Sequence, residues 1–161
     1  MPIITPILGE LDHEARATTR VLERVPADRL DWTPHPKSMS IGKLAWHIAT
    51  VPQRVEQMLR AGVFDVATAR PADAQTSFLD AYRDNLAGVR AYLAPLTDEE
   101  LKEPFTMKRG EQVIMQIPKV AVIRNILMNH SYHHRGQMTV YLRMLDVPVP
   151  AVYGTSADEG M

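Results

Sequence analysis

Apolar side chains recur at three- and four-residue intervals in four stretches of the chain, which predicts four amphipathic helices. The first stretch covers roughly Gly9 to Val25, with Leu11, Ala15, Thr18, Val21, Leu22 and Val25 on one side and Pro26 ending the run. The second covers about Ile41 to Arg60. Ser40 supplies an N-cap, Gly62 a stop, and Leu44, Ile48, Val51, Val55, Met58 and Leu59 the apolar face. Pro52 deletes one internal hydrogen bond and is expected to bend this helix. The third covers about Thr76 to Leu93, carries Phe78, Leu79, Tyr82, Leu86, Val89 and Leu93, and is closed by Pro95. The last runs from Lys119 to Leu145, with Val122, Ile126, His130, Gln137, Met138, Tyr141 and Leu145 along one side.

The segments between follow other rules. Asp28 to Pro36 is a linker with two prolines, so Trp32 is expected to pack from a loop. Residues 61–74 read as a connection. Thr97-Asp98-Glu99-Glu100 has the spacing of a capping box and opens one short helical turn. From Glu103 to Pro118 the pattern becomes strand, turn at Gly110, strand. An isolated hairpin is marginal, so this one is expected to lie against helices. The tail from Asp146 to Met161 holds Pro148, Pro150 and Gly154 and is expected to be extended. Together these elements predict an all-α fold: a four-helix bundle with a small β-hairpin in the connection before the last helix, residues 1–161 forming one domain.

Composition narrows the chemistry. The chain has 161 residues, 45% hydrophobic and 23% charged, as expected of a globular protein. A net charge of -1 and the lack of a dense Lys/Arg run argue against nucleic acid as a partner. No basic segment followed by an apolar core opens the chain, and no stretch reaches the ~20 apolar residues of a membrane span. A soluble, cytoplasmic protein with a small-molecule substrate is the expectation. Zero Cys excludes disulfides, thiolate metal sites and a Cys nucleophile. Phosphate-binding glycine loops and a Gly-x-Ser-x-Gly elbow are absent too. A metal centre here must use the six His, carboxylates and water.

His130 and His134 are four apart on a helix, one turn above each other on one face. Two imidazoles at that spacing can hold one metal ion, and a third ligand must come from another helix. His47 is the candidate, lying between Leu44 and Val51 on the inward side of the second helix. The plainer alternative is a set of satisfied interior histidines. His133 points about 100° away from His134 and is expected beside the site rather than in it. His35 lies in the proline linker. Glu10-x-x-His13 occurs once near one end, whereas a di-iron bundle needs two such motifs. Gln137 and Tyr141 fall near the metal-facing stripe and could orient water or substrate. Tyr141 could equally pack within the bundle, and Arg135 could bind an anionic substrate or form an interhelical salt bridge.

A helix opening Ser40-Ile41-Gly42 with His47 inside it, and a later helix reading His130-Ser131-Tyr132-His133-His134-Arg135-Gly136-Gln137, resemble the DinB/YfiT-like superfamily. Leu30-Asp31-Trp32-Thr33-Pro34, Tyr141-Leu142-Arg143 and Val147-Pro148-Val149-Pro150 add to the resemblance, which spans about Leu30 to Pro150. It implies a four-helix bundle, often a homodimer, with a divalent metal ion (Zn or Ni) on His47, His130 and His134. Many relatives have Tyr where His133 stands, in keeping with a non-ligand. The resemblance further implies a metal-dependent transferase or isomerase using an external low-molecular-weight thiol such as mycothiol or bacillithiol. A metal-dependent hydrolase and a non-catalytic metal-binding or dimerisation module are the alternatives. Catalytic residues beyond the ligands are not assigned.

Overall fold

Ile4, Ile7, Leu11, Thr18 and Leu22 all turn inward at helical spacing, so helix α1 spans Ile4–Leu22 and begins more than a turn before Gly9. Pro6 is compatible because the first helical turn needs no amide hydrogen. The computed structural model describes residues 1–69 and 73–160, so the middle of the 61–74 connection and Met161 lie outside the described residues. Helix α2 (Ile41–Ala61) is followed by strand β1 (Val63–Asp65), α3 (Phe78–Leu93), the short α4 (Asp98–Lys102), β2 (Pro104–Arg109) and β3 (Gln112–Pro118). The last helical rod starts as α5 (Lys119–Val122), continues as a π-helical stretch over Ile123–Asn129, and ends as α6 (His130–Met144).

Local signals act where the sequence places them. Ser40 Oγ accepts from the Lys43 amide at 3.3 Å, and Gly62 ends α2 in the left-handed region at φ 67°. Thr97 and Glu100 form the reciprocal capping box of α4. Gly110, at φ 56°, turns the hairpin. The proline linker caps α2 as well: the carbonyls of Leu30 and Trp32 each accept at 2.9 Å, from the Gly42 and Ile41 amides. The backbones approach so closely there that a Cβ on Gly42 would lie 2.8 Å from the Leu30 carbonyl oxygen. Gly42→Ala is therefore expected to cost about 1–3 kcal/mol, as overpacking of a tight contact does. A shifted urea midpoint checks it, and an unchanged midpoint would show that the linker can retreat.

The expected hairpin is present, and β1 adds a strand that the pattern of residues 61–74 does not show. β1 runs parallel to β2 with Phe64 opposite Met107, and β2 pairs antiparallel with β3. The interior divides into two apolar clusters. One holds Val51, Val55 and Leu59 of α2 with Val89, Leu93, Phe105, Val122 and Leu127. The other holds Ile41, Leu44 and Ile48 of α2 with Val21, Leu22, Tyr82, Met138 and Leu142. Burying such side chains stabilises the fold by roughly 1.5–3 kcal/mol each. On α2 the change from one cluster to the other falls between Ala49 and Val51, within one turn of His47, and on the last helical rod it falls across the His130–His134 segment. Polar groups thus occupy a seam between two oily layers instead of interrupting either one.

Candidate metal centre

Two helical irregularities flank the site. Pro52 sits inside α2 one turn after His47. Around it Thr50 Oγ1 donates to the Trp46 carbonyl at 3.0 Å, and Asn85 of α3 donates to the Ala49 carbonyl at 2.9 Å. The π-helical stretch ends immediately before His130. Such wide turns change the phase of a helix and are frequent at functional sites.

The structure brings His47, His130 and His134 together. One ring nitrogen from each lies within 4.8 Å of the others. Nε2 of His47 and Nε2 of His130 are 2.9 Å apart. His134 Nδ1 donates to Gln137 Oε1 at 3.0 Å, while Gln137 Nε2 donates to the Tyr141 hydroxyl at 3.0 Å. That chain fixes the His134 tautomer and leaves its Nε2 free as a donor atom. Tyr141 in turn meets the Trp32 ring edge-on, centroids 5.6 Å apart. Among the described residues, His134 alone of the three bonds to a side chain outside the triad.

The electrostatics favour neutral imidazoles. Burial pushes His47 down to about 4, and the charges of His134, His130 and Arg54 act in the same direction. His130 is likewise lowered to about 4, by burial first and then by His134, His133 and Arg54. Burial also lowers His134, against the opposing Gln137 bond. Neutral nitrogens are what a metal requires, so the donor set fits a divalent ion. The metal-free protein should pay for this in acid. An unfolded imidazole takes its proton near 6.5, the folded ones near 4. Stability is then unaffected above about 6.5, falls as pH drops through the interval, and is fully reduced below about 4. Urea midpoints between pH 7 and 4.5 should fall less for a His47→Asn/His130→Asn chain than for the unaltered one. Parallel curves would refute the assignment.

The remaining histidines stand apart. His133 is exposed, its ring 4.8 Å from that of His134 but outside the triad. His35 accepts from the Lys37 amide in its loop, and His13 contacts Arg16 on the surface. Glu10 is engaged by Arg124 and Tyr132 rather than paired with His13. Arg135 settles as the interhelical ion pair. It is buried, meets Glu14 at 2.6 Å, donates to Thr18 Oγ1 at 3.2 Å, and also bonds the Tyr153 hydroxyl.

The DinB family profile matches residues 5–160. The chain belongs to the DinB family. Among relatives, this DinB chain is 27% identical over 156 residues to YrdA, an uncharacterised protein of Bacillus subtilis (strain 168), covering 94% of this chain and 89% of that one. Its fold is similar to the crystal structure of YjoA, a DinB-like protein of Bacillus subtilis (TM-score 0.73, 20% identity, 92% and 98% of the two chains). A DinB-like protein from Bacillus cereus ATCC 10987 is similar too (TM-score 0.70, 25% identity, 91% and 95%).

In this DinB fold two cavities meet the triad. The first, about 340 Å³, is lined by Lys43, Trp46, His47, Thr50, Arg54 and Asp73. The second, about 200 Å³, is a mostly apolar pouch lined by His47, Arg54, Met58, Phe64, Met107 and His130. A wider cleft of about 840 Å³ near Leu8 and Arg90 touches none of the three histidines. The three histidines singled out in the sequence are brought together, whereas Arg54 and Lys43 beside them are not marked there. Their only signal is spacing: positions 43, 47, 50 and 54 share one face of a helix. Among the described residues, no helix is long and apolar enough to cross a membrane.

Proposed function

We propose that this DinB protein is a metal-dependent transferase or isomerase that holds zinc or nickel on His47, His130 and His134 and uses an external low-molecular-weight thiol. The observation supporting this most strongly is three neutral imidazoles converging beside two cavities, one cationic and one apolar. Catalytic sites with three protein ligands keep a position open for a reactant, and such sites are concave and partly apolar. A divalent ion bound there supplies Lewis acidity and makes a thiol nucleophilic at neutral pH. The chain has no thiol of its own, in keeping with one supplied from outside.

The protein's residues prepare the site. Gln137 holds the His134 ring so that Nε2 faces the other imidazoles, and Tyr141 holds Gln137. His47 and His130 face each other through their Nε2 atoms, 2.9 Å apart, so both rings direct the same atom into the site. The pouch around Met58, Phe64 and Met107 gives the site an apolar wall on one flank.

The test is consumption of an electrophile by protein loaded with Zn²⁺ or Ni²⁺, with and without mycothiol, bacillithiol or a smaller thiol. Turnover requiring both metal and thiol supports the reading. Turnover with metal and water alone would assign a hydrolase. Metal bound without turnover on any electrophile would leave a non-catalytic metal-binding module.

A further inference from the structure

Several arginines of this molecule end on carboxylates: Arg60 on Glu56, Arg90 on Asp12, Arg124 on Glu10. Arg54 is half-buried and, among the described residues, meets no carboxylate or hydrogen-bond acceptor. It borders both cavities and shares with His47 the boundary between them. Withdrawing a guanidinium from water without a counter-charge is unfavourable. A second unmet donor lies on the same wall: the Trp46 indole N–H is buried without an acceptor among the described residues. Lys43, one turn before His47, adds another cation, against the single carboxylate of Asp73. Among its described lining residues the first cavity therefore has one more cation than carboxylate, matching a monoanion more closely than a phosphate dianion.

The second cavity has the opposite character. Apart from Arg54 and the two histidines its named walls are apolar, with Phe64 and Met107 presented by paired strands. Its volume of about 200 Å³ suits one aromatic ring or a short chain, since benzene occupies an engineered cavity of about 150 Å³.

We propose that the site takes an amphiphilic carboxylate, its anionic end held by Arg54 and its apolar end in the Met58–Phe64–Met107 pouch, with the bonds between the two ends lying at the histidines. This rests on the functional reading of the triad and gives it a substrate class. Guanidinium groups match carboxylates in shape and charge, and charge-assisted bonds are the stronger ones. Arg54 is a specificity-determining residue in this scheme.

The probe pair is 3-phenylpropanoate and its neutral amide, titrated calorimetrically into the full chain, zinc-loaded and chelator-stripped. The acid should bind at least about tenfold more tightly than the amide in both forms, the magnitude expected of charge-assisted bonding. Arg54→Gln should abolish that preference while leaving amide affinity and zinc stoichiometry unchanged and the urea midpoint no lower. Met107→Trp, which fills the pouch, should weaken both probes together. Equal binding of acid and amide, or a preference that survives Arg54→Gln, would overturn the proposal. So would tighter binding of phenyl phosphate than of the acid, or Met107→Trp leaving both probes unaffected. The stripped chain separates the two readings: an Arg54-dependent preference without zinc uptake supports the carboxylate site and defeats the metal one. Zinc uptake without the preference does the reverse.

Discussion

With zinc held as proposed, a His134→Ala chain is expected to emerge from gel filtration of the zinc-loaded protein without metal, while the unaltered chain keeps it. Only two imidazoles of the triad remain in this variant, His47 and His130, and two ligands are too few for the tight binding that three support. The loss should exceed the roughly 10–100-fold in affinity that removal of an outer partner costs. Gln137→Leu supplies that smaller step. It leaves all three imidazoles in place but releases the His134 ring from its 3.0 Å bond. His133→Ala should leave affinity unchanged, because that exposed ring lies outside the triad. Competition against a chromophoric chelator ranks the variants. If His133→Ala cost as much as His134→Ala, the ligand assignment would be wrong.

Arg135→Ala should be the most destabilising single change at the interface of α1 and α6. The side chains of Arg135 and Glu14 are only 2% and 12% exposed. Removing the guanidinium leaves the Glu14 carboxylate with the Tyr153 hydroxyl and no cation, in a place water barely reaches. Breaking a buried pair from one side costs about 3–5 kcal/mol. In a chain of this length about 1 kcal/mol moves the melting temperature by roughly 2–4 °C, so the drop should be on the order of 10 °C. Replacing both partners together, Arg135→Met with Glu14→Leu, should recover much of the loss, because the stranded charge disappears with its partner. A thermal melt of the three chains checks this. A double variant as unstable as Arg135→Ala would show that the pair itself, more than the stranded carboxylate, carries the stability.

What could be read from the sequence is what depends on near neighbours. Ser40, Gly62 and the Thr97–Glu100 box act within one turn of themselves, and the sequence marks them. The His130/His134 pair is equally local. His47 was legible because Leu44 and Val51 fix which face of its helix is buried. Three residues of β1 were not, since that strand exists only through pairing with Thr106, Met107 and Lys108 more than forty positions away. Arg54 resembled any solvated charge until the fold placed the second cavity beside it. Arg135 had two open roles, and only the approach of α1 decided between them. The π-helical stretch was hidden for a different reason: Ile123, Leu127 and Met128 satisfy an α-helical pattern as well as a wider one.

That stretch has a consequence for how the site tolerates change. The wide turn feeds more residues into its length of axis than an α-helix would, and each residue turns an α-helix by about 100°. Deleting one residue between Ile123 and Asn129 would let the rod relax to ordinary winding while preserving every histidine. The extra residue is accommodated in nearly the rotation that an α-helix makes without it, so His130 and His134 would still arrive facing His47. The wide turn is thus a place where this rod can differ in length by one residue while its His-x-x-x-His motif still meets the second helix.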